Sequence, residues 1–569
     1  MLLENGYFRN PDGSRYLPMG MFSCYFRAEF AGEKLVLESQ HGDNLLEFQH
    51  CTRGTWERLF EFLRREGHTA IRMFPRGDSG GAAWEGLDLG GRVNRYLLDL
   101  ILDFARTARQ YGIRLMLGLF TEPECSVYCR EDTRVYWGAR LWDEEMRAVA
   151  TPSERRFLEN TRDLVDYNDF FSDPDVRSCC HSFLDELVPL LRGNDDLFAI
   201  EVFNEMGWAS PHANPSNTFR WEITPDYLDW SRDMVDHIRR LAPELPVCIS
   251  NAGVGLLGHD QVQWFEAIRP DFFSLHNYPD IDGALPGTDY ASVSDMVLKY
   301  TQLGGTAMYG EWQAIFAPPD PSDERLRLLN ARDFAWLTML SGAPGCIGWC
   351  ARGYGQYRAV SKLFARLENR DLTPARPKRV VDVSAAHDWF VSLVDGGEDE
   401  CRLPPHKWCP DRSATDHKHR FCVKCESEYH RRMVAVEDWS LRTGADYIFA
   451  RGEGRPLLEW SREDFADEGP VGVPEGYRQK SLTAADGRTV IVYLQNFEPV
   501  VYSGNTVDGL PYEKFTLRTQ SPRPVVLELR DPAFRYELLD LETGEQTALL
   551  PGSVGLGVTS HDFVLLLTR

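Results

Sequence analysis

Two glutamates stand at the ends of short apolar stretches about a hundred residues apart. The first stretch, LFAIEVFNEMGW (197–208), opens apolar, as a strand buried on both faces does, and carries Asn204 and Glu205 after its apolar run. The second, TAMYGEWQA (306–314), has the same build and delivers Glu311. Two buried strands that each present a carboxyl group at the C-terminal end can set that pair across one bond. Acetal hydrolysis with retention asks for such a pair, about 5–5.5 Å apart. One carboxylate is the nucleophile, and the other carboxyl first donates and then accepts a proton. The two must differ in pKa to take those roles.

Other polar residues fall at strand ends too. Arg72 lies in HTAIRMFPRG (68–77), His276 and Tyr278 in DFFSLHNYP (271–279), and Trp349 in GCIGWCARGYG (345–355). Asn204 can hold a sugar 2-hydroxyl, Arg72 can keep a nucleophile ionised, and Tyr278 is placed to hydrogen-bond the same carboxylate. Trp349 can form the floor on which a sugar ring stacks. Trp208, Trp312 and Tyr354 are further candidates for substrate contact. Each residue has a plainer reading. An Asn-Glu dipeptide arises by chance in any large protein, Arg72 can be an internal ion-pair partner, His276 a satisfied core histidine, and the tryptophans packing.

The elements that would position these residues alternate. A first strand is expected within YLPMGMFSCYF (16–26), preceded by a Pro11-Asp12-Gly13 turn in a small hairpin over the barrel floor. WERLFEFLRREG (56–67) and VNRYLLDLILDFARTARQYG (93–112) have helical spacing and stop at glycine. The strand IRLMLGLF (113–120) and the helix VRSCCHSFLDELVPLLRG (176–193) lead to the Glu205 strand. Later units pair helices at 227–244, around 261–269, 294–303, 325–342 and 357–370 with the remaining strands. Eight strand–helix units make the fold class α/β, a (β/α)8 TIM barrel over residues 1–375. No Gly-rich phosphate turn follows the first strand, which argues against a doubly wound open sheet. Segments 121–174 and 206–225 are far longer than ordinary connections and hold several aromatic residues.

Asn-Glu at strand four, His-x-Tyr at strand six, Gly-Glu-Trp at strand seven and Trp at strand eight together resemble the clan A retaining glycoside hydrolases. The likeness is to their cellulase and mannanase branch and covers about residues 1–375. It implies a retaining β-glycoside hydrolase with Glu205 as acid/base and Glu311 as nucleophile. It also implies that Arg72, Asn204, His276, Tyr278 and Trp349 line the −1 sugar site. Two departures mark the chain: Met206 stands where the branch usually has proline, and strand three ends Thr121-Glu122-Pro123-Glu124 rather than in Asp and His.

Beyond the barrel the pattern changes. An irregular segment (376–478) carries Cys401-x7-Cys409-x12-Cys422-x2-Cys425, with His406, His417 and His419 inside it. Four thiolates suit tetrahedral zinc, so a structural zinc is expected at Cys401, Cys409, Cys422 and Cys425, against the plainer reading of a solvated loop with unligated thiols. Such a site would staple the segment, and no cofactor is expected for catalysis. Cys125-x3-Cys129 is a weaker metal motif. From residue 479 to 569 alternating strands and Gly, Pro and Asp turns predict a small all-β C-terminal sandwich.

Composition bounds the partners. The formal net charge of −24 disfavours nucleic acid and anionic membrane surfaces, and no run of eighteen apolar residues suggests a membrane span. The first twenty residues lack a basic stretch followed by an apolar one, so no signal peptide is expected. Thirteen cysteines, several inside apolar strands, read as reduced core thiols and a cytoplasmic protein. A carbohydrate substrate is expected, with two alternatives: a catalytically silent carbohydrate-binding barrel, and a metal-dependent barrel hydrolase. The latter lacks His and carboxylate ligands at several strand ends.

Overall fold

The computed structural model describes residues 1–22, 26–31, 34–39, 52–73, 87–88, 90–120, 169–204, 225–251, 267–277, 297, 305–312, 324–348, 357–367, 372–374, 379–381, 445–447, 457–461, 469–472, 474–484, 486–505 and 511–569. Eight parallel strands close into a barrel: β1 (Met19–Phe22), β2 (Ala70–Met73), β3 (Arg114–Phe120), β4 (Leu197–Phe203), β5 (Val247–Asn251), β6 (Phe272–Asn277), β7 (Ala307–Trp312) and β8 (Cys346–Gly348). They neighbour one another in chain order, and β8 pairs with β1 to complete the closure. Every residue of β3, β4 and β7 is buried, as strands must be when side chains fill the barrel on one face and helices cover the other.

The helices start and stop where their sequences direct. α1 (Arg53–Arg65) is capped by Thr52, whose hydroxyl accepts from Thr55 N while the Thr55 hydroxyl accepts from Thr52 N. After α1 the chain turns at Gly67, with φ +84°, and a Cβ there would lie 2.8 Å from the Arg358 backbone. α2 (Arg95–Arg109) begins at Asn94, whose side chain accepts from Leu97 N at 3.2 Å. α3 (Pro174–Leu191) has Asp173 as its cap and proline in its first turn, and α4 (Pro225–Leu241) follows β4. α5 (Glu324–Leu340) and α6 (Arg358–Ala365) flank β8. Trp56 on α1 and Phe104 on α2 meet edge to face at 5.2 Å. Burial of such side chains contributes roughly 1.5–3 kcal/mol each.

A three-stranded antiparallel sheet of residues 2–16 closes the N-terminal end of the barrel, as the turn at Pro11-Asp12-Gly13 led us to expect. Phe8 plugs it, edge to face with Phe198 at the start of β4 and Phe272 at the start of β6. A hairpin of Phe26–Ala31 and Lys34–Ser39, not expected from the sequence, follows β1. No helix among the described residues is long and apolar enough to cross a membrane.

The C-terminal strands are β9 (Leu372–Pro374), β10 (Val471–Gly472), β11 (Tyr477–Ala484), β12 (Thr489–Asn496), β13 (Glu498–Asn505), β14 (Pro511–Thr519), β15 (Arg523–Leu529), β16 (Arg535–Asp540), β17 (Gln546–Leu549), β18 (Gly552–Thr559) and β19 (Phe563–Thr568). One sheet runs β9-β11-β12-β19-β16-β17, a second β10-β15-β18, and β13 with β14 forms a hairpin. β9, just before residue 375, pairs with β11, and β10 joins the second sheet at Val471. Strands of two or three residues are too short to show alternation. Three short strands of the intermediate segment (379–381, 445–447 and 457–461) form their own antiparallel sheet. Cys401, Cys409, Cys422 and Cys425 lie outside the described residues, as do Cys125 and Cys129.

The larger C-terminal sheet is a middle layer. On β12, Val490, Val492 and Leu494 join a core with Val525, Leu527 and Leu529 of the second sheet. Ile491 and Tyr493, pointing the other way, join the core of the barrel. β19 divides in the same manner, with Phe563, Leu565 and Leu567 on one side and Val564 and Leu566 on the other. Period-two alternation here sorts residues between two cores.

Candidate active site

Four barrel strands deliver the site. β2 carries Arg72, β4 carries Glu201 and ends at Asn204, β6 carries His276, and β7 carries Glu311. β2, β4 and β7 are not neighbours in the barrel, so side chains from all three can touch only in its interior. They do touch. Arg72 donates to both oxygens of Glu201, Nε to Oε2 at 2.7 Å and Nη2 to Oε1 at 2.9 Å. Its Nη2 also donates to Asn204 Oδ1 at 2.6 Å, and its Nη1 to Glu311 Oε1. The guanidinium carbon lies 4.8 Å from the centre of the Phe22 ring on β1.

Such a group can be buried only because it is paired. Arg72 and Glu201 are fully buried, and Glu311 is 1% exposed. Burial is the strongest influence on Arg72 and pulls its pKa down, but the carboxylates of Glu201 and Glu311 outweigh it and raise the value further above the ordinary one. Removing one partner of such a pair costs about 3–5 kcal/mol, because the other charge is left without compensation.

A β-bulge sets the aim of Glu311. Leu275 pairs with Tyr309 but His276 pairs with Glu311, so Gly310 is an extra residue on β7. A Cβ there would lie 1.8 Å from Ser274 Oγ and 3.4 Å from His276 Nε2, so any larger residue would have to displace the Ser274 side chain. The bulge thereby sets His276 beside Glu311, with Nδ1 3.6 Å from Oε2, a distance for electrostatic contact rather than a direct hydrogen bond. Burial lowers the His276 pKa to about 4, against the opposing pull of Glu311, so the imidazole is neutral at neutral pH. Glu311 is therefore held on one oxygen by a cation and flanked on the other by a neutral ring. Asn204 donates its backbone N–H to Phe120 O at 2.8 Å, and with Oδ1 on Arg72 its amide nitrogen is the donor end of the side chain.

The structure thus brings together Arg72, Asn204, His276 and Glu311 of the residues singled out from sequence. Trp312, a candidate for substrate contact, is packed inside the protein. It is 3% exposed, its ring stacks on Phe334 at 4.2 Å and 30°, and a Cβ on Gly348 would meet that ring at 3.5 Å. Glu205, Tyr278, Trp349, Trp208 and Tyr354 lie outside the described residues, Glu205 being the next residue after Asn204. Sequence reasoning missed Glu201, which saturates Arg72. Its signal was a lone charge inside the apolar run LFAIEVF, where a buried carboxylate must find a cation.

No family model matches the chain, and no curated protein matches it. Among solved structures it is similar to an exo-β-1,4-mannosidase from an Opitutaceae bacterium, at 14% identity and a TM-score of 0.43. That match covers 66% of this chain and 64% of the other. It is also similar to an endo-1,4-β-mannanase from Rhizomucor miehei, at 11% identity and a TM-score of 0.40, over 59% of this chain and 99% of the other. A family 5 glycoside hydrolase from Bacteroides vulgatus is similar at 10% identity and a TM-score of 0.44, over 100% of this chain and 93% of the other. These are likenesses of chain path and carry no residue's role over to this chain.

Proposed function

We propose that the protein is a glycoside hydrolase that cleaves a β-linked glycan or oligosaccharide with retention, using Glu311 as nucleophile and Glu205 as acid/base. The observation that carries this reading is the setting of Glu311. It is a buried carboxylate at the C-terminal end of a barrel strand, aimed by a bulge, oriented by Arg72 and flanked by a neutral imidazole. In the first step a Glu311 oxygen attacks the anomeric carbon, the glycosidic C–O bond breaks, and Glu205 gives its proton to the departing oxygen. In the second step Glu205 takes a proton from water, the water oxygen bonds to the same carbon, and Glu311 leaves. Glu201 takes neither role in this scheme, because both its oxygens accept from Arg72.

Two carboxylates against one guanidinium also suit a transition state in which positive charge grows at the anomeric carbon. Asn204, with its amide nitrogen as donor, is proposed to hold the sugar 2-hydroxyl beside that carbon. Tyr278 and Trp349 are proposed to complete the same sugar site, and Trp208 to contact substrate further out.

The test is hydrolysis of a panel of aryl β-glycosides and of β-glucan, mannan and galactan oligosaccharides by wild type and Glu311→Gln. Turnover with the β-anomer as first product, lost in the variant, supports the reading. Inversion, or full activity in Glu311→Gln, would sink it. Sugar binding without turnover across the panel would favour the silent binding barrel. The scheme uses only carboxyl groups and water, so EDTA is expected to leave turnover unchanged; activity that vanished with the chelator would revive the metal-dependent hydrolase.

A further inference from the structure

α5 lies between β7 and β8 in the chain and between the barrel and the larger C-terminal sheet in space. From Leu329 to Leu340 every residue except Arg332 is buried. On the barrel side, Phe334 stacks on Trp312 at 4.2 Å and meets Tyr309 edge to face at 4.8 Å. On the sandwich side the contacts are charged and directional. Asp333 accepts from the Arg518 guanidinium through both its oxygens, and also from the Tyr493 hydroxyl. Asn330 accepts from Arg518 N at 3.3 Å and donates to Arg518 O at 3.4 Å. Trp336 stacks on Tyr493 at 6.0 Å and 25°.

We infer that the C-terminal sandwich is a positioning element of the barrel site: Arg518 fixes α5 through Asp333, and the stacked Phe334–Trp312 pair passes that constraint to the strand end bearing Glu311. Glu311 sits directly before Trp312 and directly after the bulge residue Gly310, where the register of β6 and β7 shifts before pairing resumes at His276–Glu311 and Asn277–Trp312. On the other side of β7 the registered pairing with β8 among the described residues is Tyr309 with Cys346. Packing of Trp312 on Phe334 adds a side-chain constraint to that pairing. Apolar packing lets a helix slide or turn by small amounts, whereas a two-pronged arginine–carboxylate contact admits one register. A buried ion pair adds little net stability over apolar residues of the same volume, so its use here fits placement rather than strength. Asp333 and Phe334 are adjacent in sequence, one turned to each neighbour of the helix.

The kinetic arm of the test rests on the glycosidase reading, and a second arm does not. Asp333→Asn and Phe334→Leu are expected to lower kcat on an aryl β-glycoside about tenfold with KM within about twofold, since small misplacements of a reacting group cost that much. Phe334→Tyr, which keeps the ring, is expected to restore kcat. Arg366→Gln, which breaks an exposed barrel–sandwich bridge to Glu537, is expected to leave it unchanged. In protein labelled with 5-fluorotryptophan, the ¹⁹F resonance of Trp312, assigned by its loss in Trp312→Phe, is expected to move in Asp333→Asn and stay in Arg366→Gln. Folded Asp333→Asn with wild-type kcat and an unmoved Trp312 resonance overturns the inference while leaving the glycosidase reading standing. A moved resonance in a protein that hydrolyses no glycoside supports the link and sinks the glycosidase reading instead. Should Asp333→Asn fail to fold, Phe334→Leu decides in the same way.

Discussion

An arginine clamped between two buried carboxylates occurs twice among the described residues, inside the barrel and where the barrel meets the sandwich. Arg72 lies between Glu201 and Glu311, and Arg518 between Asp333 and Asp562. The difference lies in how the carboxylate oxygens are used. At the junction both acids are engaged all round. Asp562 accepts from Arg518 Nη1 at 2.8 Å, Arg518 Nη2 at 2.7 Å, Asn496 N at 2.8 Å and Gln520 Nε2 at 3.0 Å. Inside the barrel both oxygens of Glu201 accept from Arg72. Glu311 has one oxygen on Arg72, and its other oxygen faces an imidazole nitrogen at 3.6 Å. The junction cluster ties two bodies together, whereas the barrel cluster stands at strand C-terminal ends and sets an imidazole beside Glu311, an arrangement suited to a reacting partner.

That contrast breaks most directly at Glu311. Glu311→Gln is expected to lower kcat by on the order of 10³-fold or more while the thermal transition stays near that of wild type. The fold survives because Glu201 still neutralises Arg72. Parallel kinetics and calorimetry check both halves, and a variant that loses stability rather than activity would make the barrel cluster the structural one. Arg518→Met should do the reverse. It takes the paired guanidinium from buried Asp333, while Asp562 keeps Arg332, with an expected loss of about 3–5 kcal/mol in urea unfolding. A loss under about 1 kcal/mol would mean that the junction is held by its apolar contacts and not by the cluster.

The barrel was legible because each strand is an apolar run ended by a turn signal and two helices stop at Gly67 and Gly112. Glu311, Asn204, Arg72 and His276 were legible because they are polar residues at strand ends. Glu201 was not, since Arg72 lies 129 residues away and the two meet only once the barrel closes. Gly310 read as part of a motif, and its physical reason, the bulge against Ser274, is a property of the β6–β7 register. Trp312 read as a candidate for substrate contact near the barrel mouth. Its burial depends on Phe334, which a helix brings from outside the barrel. The role of the sandwich was open from sequence, although the unbroken apolar run TVIVYL in β12 was a sign of a sheet covered on both faces.

Acid should probe the barrel cluster through His276. Its folded pKa, about 4, lies below the ordinary value near 6.5, so below pH 6.5 the unfolded chain takes a proton that the folded chain refuses. Stability from this residue is complete above pH 6.5 and is lost as pH falls toward 4, by about 3 kcal/mol in all. His68, buried with a pKa lowered to about 3 by desolvation, acts with the same sign far from the site. Urea unfolding at pH 7.5 and 4.5 should therefore show a smaller acid loss in His276→Gln than in wild type. An equal loss in both would mean that the ring is accessible to protons in the folded state, against its full burial.

The smallest effect is expected at the exposed bridge between Arg366 on the barrel side and Glu537 on β16, which joins the same two bodies as Arg518 does. Its nitrogens lie 2.7 and 2.9 Å from the carboxylate, as good a geometry as the buried cluster has. Geometry does not decide its worth. The side chains are 41% and 34% exposed, so water and salt compete for both charges. A double-mutant cycle of Arg366→Gln and Glu537→Gln should give a coupling of roughly 0.2–1 kcal/mol, shrinking further in 1 M salt. A coupling that matched the loss in Arg518→Met and ignored salt would show that docking is shared between surface and interior. The junction would then tolerate the small motions of α5 that a buried clamp is meant to prevent.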